Sequence, residues 1–161
     1  MAAVTAQMVK ELREMTLAGM SDCKKALDAA EGDMDKAVVI LREKGLASAA
    51  KKASRAASEG VVSTVVDNNN LGFVFEVNCE TDFVTKNDGF QAFVSNLHNI
   101  ISSAKPADLD ALLATNYDAS GNVKDAATAL VAQIGENITV RRFARVGSGK
   151  NFVTSYVHGG E

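Results

Sequence analysis

Residues 71–87, LGFVFEVNCETDFVTKN, change character halfway along. The run Leu71 to Val77 is rich in aromatic and β-branched residues and reads as a strand. Then Asn78, Glu80 and Asp82 break the strand period, and Phe83 stands bare beside Asp82. A turn that only reverses the chain takes Gly, Asn or Asp and has no use for a large aromatic. Phe83 therefore either folds back into its own core or is held out for another molecule. The broken period favours a protruding loop, and an aromatic on a loop carried by a rigid sheet is the usual construction of an interface anchor. Burying it in a partner's pocket would contribute roughly 1.5 to 3 kcal/mol.

Working outward, VVSTVV (61–66), the turn residues DNNN (67–70) and LGFVFEV form a hairpin pattern, because Asp and Asn tolerate the positive φ of a short reversal. Downstream, Asp88 followed by Gln91 has the spacing of a capping box. Phe90, Phe93, Val94, Leu97, Ile101 and Ala104 then share one helical face until Pro106, so that helix is expected to cover the sheet. A shorter helix from Asp108 to Thr115, a polar turn NYDASGN (116–122) and a helix from Asn122 to Ile134 ended by Gly135 follow. ITVRRFARV (138–146) and FVTSYVH (152–158) pair as a second hairpin across GSGKN. Residues 60–161 are thus predicted to be an α+β domain with an antiparallel sheet and packed helices.

The first fifty residues repeat a helical stripe three times. Met8, Val9, Leu12 and Met15 share a face after Thr5; Cys23, Ala26, Leu27 and Ala30 after Ser21; Met34, Ala37, Val38 and Leu41 after Asp33. Thr5, Ser21 and Asp33 suit N-caps, and Gly32 and Gly45 stand where left-handed residues would stop the second and third helices. Residues 1–46 therefore read as a small three-helix module of marginal stability. Residues 47–59 lie in an Ala-rich stretch with Lys51, Lys52 and Arg55 and read as a basic helical connector, either a solvated spacer or a patch for an acidic partner.

Composition excludes several classes. With 161 residues, 47% hydrophobic content and one Pro, the chain can bury a core. A net charge of −3 gives no electrostatic footprint for direct nucleic-acid binding. Cys23 and Cys79 are too few for a disulfide framework, and no apolar stretch reaches the length of a signal or membrane segment, so a reducing cytosol is expected, with no membrane partner. GSGKN lacks a phosphate loop's spacing, since Ala144 and Asn151 replace the needed Gly and Ser or Thr. Glu76, Glu80 and Asp82 lack the companions of a metal or acid/base site. Cys23 beside Lys24 and Lys25 has a thiolate-favouring setting, but its place on the apolar stripe favours a buried thiol. His98 falls on a helix flank and His158 at a strand end, neither with a ligand companion. No enzyme, no cofactor and no metal emerge, and a protein-binding role remains.

Two longer patterns sharpen that role. TLAGMSDCKKAL (16–27) and EVNCETDFVTKN (76–87), followed in order by FQAF (90–93) and IGENITVRR (134–142), resemble the bacterial elongation factor Ts family over essentially the whole chain. The resemblance implies guanine-nucleotide exchange on the GTPase elongation factor Tu, with a ubiquitin-associated-like three-helix module leading the amino-terminal half of the family's core. It implies that the loop Thr81, Asp82, Phe83, Val84 enters the GTPase near its magnesium site, Phe83 as an apolar wedge and Asp82 rearranging polar contacts. A factor that prefers the nucleotide-free GTPase must weaken nucleotide binding by the same ratio. Arg13, Met20 and Lys24 match module positions that touch the GTPase, and Ile134, Gly135 and His158 match interacting core positions. Each also has an ordinary structural reading, Met20 and Ile134 as core, Gly135 as a helix cap. Leu17 and Ser21 depart from the Gly and Met of many members.

Family members usually continue past HGG into segments that grip a second region of the GTPase or support a homodimer. The chain is therefore expected to be a fragment or a naturally short form that binds elongation factor Tu more weakly, with a homodimer possible. Two other readings stay open: a ubiquitin-associated-like binding module with a scaffold and no exchange activity, and a small hydrolase using Cys23 or the acidic cluster.

Overall fold

The computed structural model describes residues 4–68, 70–118, 121–148, 150 and 152–158. They fall into two compact units, Met1–Ser54 with Thr128–Glu136, and Arg55–Ala127 with Asn137–Glu161.

In the first unit, α1 spans Ala6–Thr16, α2 Met20–Ala29 and α3 Met34–Lys52. Thr5 caps α1 by accepting from the Met8 amide, and Asp33 caps α3 by accepting from the Lys36 amide. The cap of α2 is Gly19, not Ser21: the Gly19 carbonyl accepts from the amides of Asp22 and Cys23, so the helix begins before Ser21. It ends in a Schellman motif, with Gly32 donating to the Leu27 carbonyl and Glu31 to that of Asp28. Both Glu31 and Gly32 have positive φ.

Gly45 does not stop α3. It lies buried inside the helix, where an added Cβ would sit 3.5 Å from the Cβ of Ala132. Helix propensity explains the continuation, because a single Gly costs about 1 kcal/mol while the Ala-rich run after it favours helix at nearly every position. The expected connector thus begins as the last turns of α3. Val9, Leu12, Cys23, Ala26, Leu27, Ala30 and Ala37 form the core of the unit, flanked by Met8, Met34, Val38 and Leu41. Met15, expected on the stripe, is instead exposed, since it lies in the last turn of α1, beyond Leu12.

In the second unit, β1 (Glu59–Asp67) and β2 (Leu71–Cys79) form the expected hairpin, in register from Glu59 opposite Cys79 to Asp67 opposite Leu71. On the other side of β2 lies β5 (Thr139–Val146), also antiparallel, with Phe75 opposite Phe143 and a register shift at Glu76/Val77. The sheet order is β1-β2-β5. After β2 come α4 (Asp82–Thr85), α5 (Asp88–Ala104), α6 (Leu109–Ala114), a short β3–β4 pair (Asn116–Asp118 and Gly121–Asn122) and the start of α7 (Val123–Ile134), whose residues from Thr128 on belong to the first unit. Among the described residues this is the expected α+β arrangement. Val65, Phe73, Phe75, Val77 and Val140 from the sheet and Phe90, Phe93, Leu97 and Ile101 from α5 are all buried.

Two local expectations are corrected. Asn87, not Asp88, caps α5, its side chain accepting from the amides of Gly89 and Phe90. Gln91 donates to the Thr85 carbonyl instead of completing a capping box. FVTSYVH forms no strand: residues 152–158 have no regular structure, so His158 is not at a strand end. The chain turns at Gly147, φ 89°, and Val153 then packs so close to Gly72 that a Cβ there would lie 2.8 Å from its Cγ1. That path leaves the outer edge of β5 unpaired by this segment. The reading of GSGKN as the connecting turn falls partly on Gly149 and Asn151, which lie outside the described residues.

Candidate functional site

The core strand β2 delivers its last residues to the TDFV corner. Cys79 is buried, and its thiol donates to the Thr81 carbonyl at 3.1 Å. Thr81 is extended and serves as N-cap of α4 by position, without a capping bond from its side chain. The Val84 amide donates to the Thr81 carbonyl, those of Lys86 and Asn87 to the carbonyls of Phe83 and Val84, and the Thr85 hydroxyl to that of Asp82. The loop expected from sequence is thus a single tight helical turn. Within it Val84 is 7% exposed and Phe83 82%. Neighbouring side chains on one turn point oppositely: Val84 pins the turn to the core, and Phe83, with exposed Asp82 and Thr81, faces solvent.

Phe83 thus does not return to its own core. An exposed phenyl ring on an anchored turn can enter an apolar pocket without first being extracted from anything. The acids around it do not form a metal site. Glu76 pairs with Arg142 at 2.5 Å and Arg141 at 3.7 Å, and the hydrogen bond from Arg142 holds its carboxyl below the usual range. Glu80 accepts from the Asn137 amide at 2.6 Å. Among the described residues no group of His, Cys, Asp and Glu could hold a metal ion, and no helix is long and apolar enough to cross a membrane.

The remaining candidates fall at other places. Arg13, in the last turns of α1, and Met20 and Lys24, at the start of α2, are all exposed. Met20 is therefore not core; like Met15 and Leu17 it is an exposed apolar side chain, the three being 60%, 65% and 62% exposed. Leu17 closes α1 in the left-handed region, φ 54°, donating to the Arg13 carbonyl. Sequence reading missed Met15 and Leu17 as surface residues; the signal available was a bulky Leu two residues before Gly19, inside a helix break. Ile134 is half-buried at the end of α7, and Gly135, φ 92°, follows it with nothing within 4 Å of an added Cβ. His158 is exposed, its Nδ1 3.1 Å from the Tyr156 hydroxyl. The preceding Val157 lines a groove of about 400 Å³ with Val61, Thr64, Gln91 and His98, so this segment passes the same Gln91 that braces Thr85. Cys23 is fully buried, which removes the setting a nucleophilic thiol requires.

The family model for elongation factor TS matches residues 80–161. This chain belongs to the elongation factor Ts family. It is 51% identical over 160 residues to elongation factor Ts of Clostridium tetani, covering 97% of this chain and 52% of that protein. It is 52% identical over 159 residues to elongation factor Ts of Clostridium novyi and 51% over 158 to that of Clostridium acetobutylicum, with the same coverage. The chain spans about half the length of these curated elongation factor Ts relatives. The span matched by the elongation factor Ts model opens at Glu80, so it contains the whole TDFV turn.

Proposed function

We propose that this chain is a guanine-nucleotide exchange factor for elongation factor Tu and that the TDFV turn is the part that enters the GTPase near its magnesium site. The observation that carries this reading is the pairing of a buried Val84 with an exposed Phe83 on one braced turn. In GTPases of this kind magnesium bridges the phosphates, so nucleotide affinity depends on ligand geometry that a wedge can disturb. Phe83 supplies apolar contact in the nucleotide-free complex, and Asp82 competes for polar contacts beside the metal. No bond is made or broken by this chain, and the work is done by differential binding.

In this reading the module of residues 1–46 docks through Arg13, Met20 and Lys24, the connector of residues 47–59 joins it to the core of residues 60–161, and Ile134, Gly135 and His158 add contacts. The reaction belongs to the cytosol, where translation runs. The test is release of a fluorescent GDP analogue from elongation factor Tu in stopped flow, with the chain and with Phe83→Ala. The chain should accelerate release and the variant should lose most of that effect while keeping the melting temperature. Binding without acceleration by either protein would favour the second reading, a docking module without exchange activity, which the exposure of Met15, Leu17 and Met20 supports. Absence of binding would overturn both.

A further inference from the structure

Glu80 closes a knot of three segments far apart in sequence. Its Oε1 accepts the Asn137 backbone N–H at 2.6 Å and an N–H of the Arg55 guanidinium at 3.5 Å. The Asn137 side-chain amide in turn donates to the Arg55 carbonyl at 2.9 Å. Arg55 precedes β1, Glu80 joins β2 to α4, and Asn137 precedes β5, so each strand of the three-stranded sheet has one end tied here. The two sequence patterns ETDF and IGEN each contribute one member.

The turn that follows is only four residues long. A helix of four residues cannot persist on its own hydrogen bonds, and Thr81 gives α4 no side-chain cap. Its orientation therefore depends on its flanks: Val84 in the core, Gln91 on the Thr85 carbonyl, and Glu80 immediately before it. We propose that Glu80 is a positioning residue, whose carboxylate clamps the end of β2 to the Asn137 backbone and so fixes the direction in which Asp82 and Phe83 are presented to the partner. This rests on the exchange reading for its functional consequence but not for its structural one. Without the acceptor at position 80 the β2–α4 junction gains freedom, and Phe83 must be ordered at the moment of binding.

The chain has no Trp, so Phe83→Trp places a single fluorescent reporter at the exposed site. Time-resolved anisotropy of the introduced indole should show a larger fast-decaying amplitude when Glu80→Ala is added, and Glu80→Gln, which keeps an acceptor oxygen, should restore the slow decay. With Phe83 intact, Glu80→Ala should reduce the acceleration of GDP release roughly tenfold, as expected for a misoriented contact group, and Glu80→Gln should recover most of it. In a Phe83→Ala background Glu80→Ala should have a much smaller further effect, through Asp82 alone. Arg55→Ala, which removes only the longer contact, should act in the same direction more weakly and serves if Glu80→Ala does not fold. Unchanged anisotropy in Glu80→Ala, or an equal defect in Glu80→Gln, would overturn the clamp. Failure of Phe83→Ala to slow release would instead overturn the exchange reading, leaving the anisotropy to decide the clamp by itself.

Discussion

Phe83 and Met20 are both exposed apolar side chains near the start of a helix, yet their supports differ. Phe83 rides on four residues that extend from the central strand of a sheet and are braced by Val84, Gln91 and Glu80. Met20 opens a ten-residue helix with its own core contacts, on a module whose Met15 and Leu17, the latter at a strained helix end, are exposed too. One surface is a single aromatic on a borrowed scaffold, the other a set of exposed side chains on a small module. The first should fail when its brace fails, the second when its module melts.

The largest effect should come from Leu12→Ala. Leu12 is fully buried in a core of seven buried residues among those described, and deleting such a side chain typically costs about 2 to 5 kcal/mol. A unit this small has little to spare. Amide exchange of α1–α3 should lose protection while Phe83 stays at its corner. Protection of α1–α3 equal to the parent would show that the helical unit has more stability than its core implies.

Next is the pair Phe83→Ala and Val84→Ala, adjacent residues with opposite environments. Phe83→Ala should cost roughly 1.5 to 3 kcal/mol of partner binding and leave thermal stability within about 0.5 kcal/mol. Val84→Ala should do the reverse in stability, losing about 1 to 2 kcal/mol through the transfer and cavity cost of a buried valine. Equal melting temperatures for the two variants would contradict the inside-outside division of α4.

Leu17→Gly should separate folding from docking. A left-handed leucine carries roughly 1 to 2 kcal/mol of strain, part of which glycine's greater unfolded-state freedom takes back. The variant should gain about 0.5 to 1 kcal/mol in stability and, if the proposed docking of the module on elongation factor Tu extends to Leu17, bind that GTPase more weakly. Calorimetry and a titration on the same samples read both signs, and a variant improved in both would remove Leu17 from the interface.

Why some of this was legible in sequence is itself physical. The polar run from Asn78 announced the Phe83 corner, although the strand period does not break there: β2 continues in register through Asn78 and Cys79, and the corner begins only after Cys79. The three helices, the β1–β2 hairpin and the α5 face were legible as local periodicity. The start of α2 was not, since Gly19 caps through its backbone carbonyl alone. Continuation of α3 through Gly45 depended on weighing one poor residue against an alanine run. The FVTSYVH segment looks like a strand by composition, but its path is set by contact with Gly72, far earlier in the chain. The Glu80 clamp was illegible in kind: its partners lie 25 and 57 residues away, and a carboxylate near other acids looks like a cluster until they are seen to point to different partners.

The smallest contrast is between two carboxylates, one in each unit. Asp33 is held below its ordinary value of 3.8 first by the backbone amide of Lys36, and Glu76 below 4.5 first by the hydrogen bond from Arg142. In both the folded state favours the charged form. Each contribution is therefore complete above the ordinary value and lost as pH falls through the lower folded one. Both should steepen acid unfolding, and Asp33→Asn and Glu76→Gln should each flatten it. Salt should tell them apart. Glu76 works through hydrogen bonds from Arg142 and Asn78 and, after them, through the charges of two exposed arginines, and ions screen that charge part, whereas Asp33 works mainly through a short-range bond to a backbone N–H at a helix start, less dependent on ionic strength. Acid titration followed by α3 amides should keep its shape in about 1 M salt, and that followed by β2 and β5 amides should shift toward the Glu76→Gln profile. An equal response would mean that the cap too acts through the charge of Lys36, 3.4 Å from Asp33.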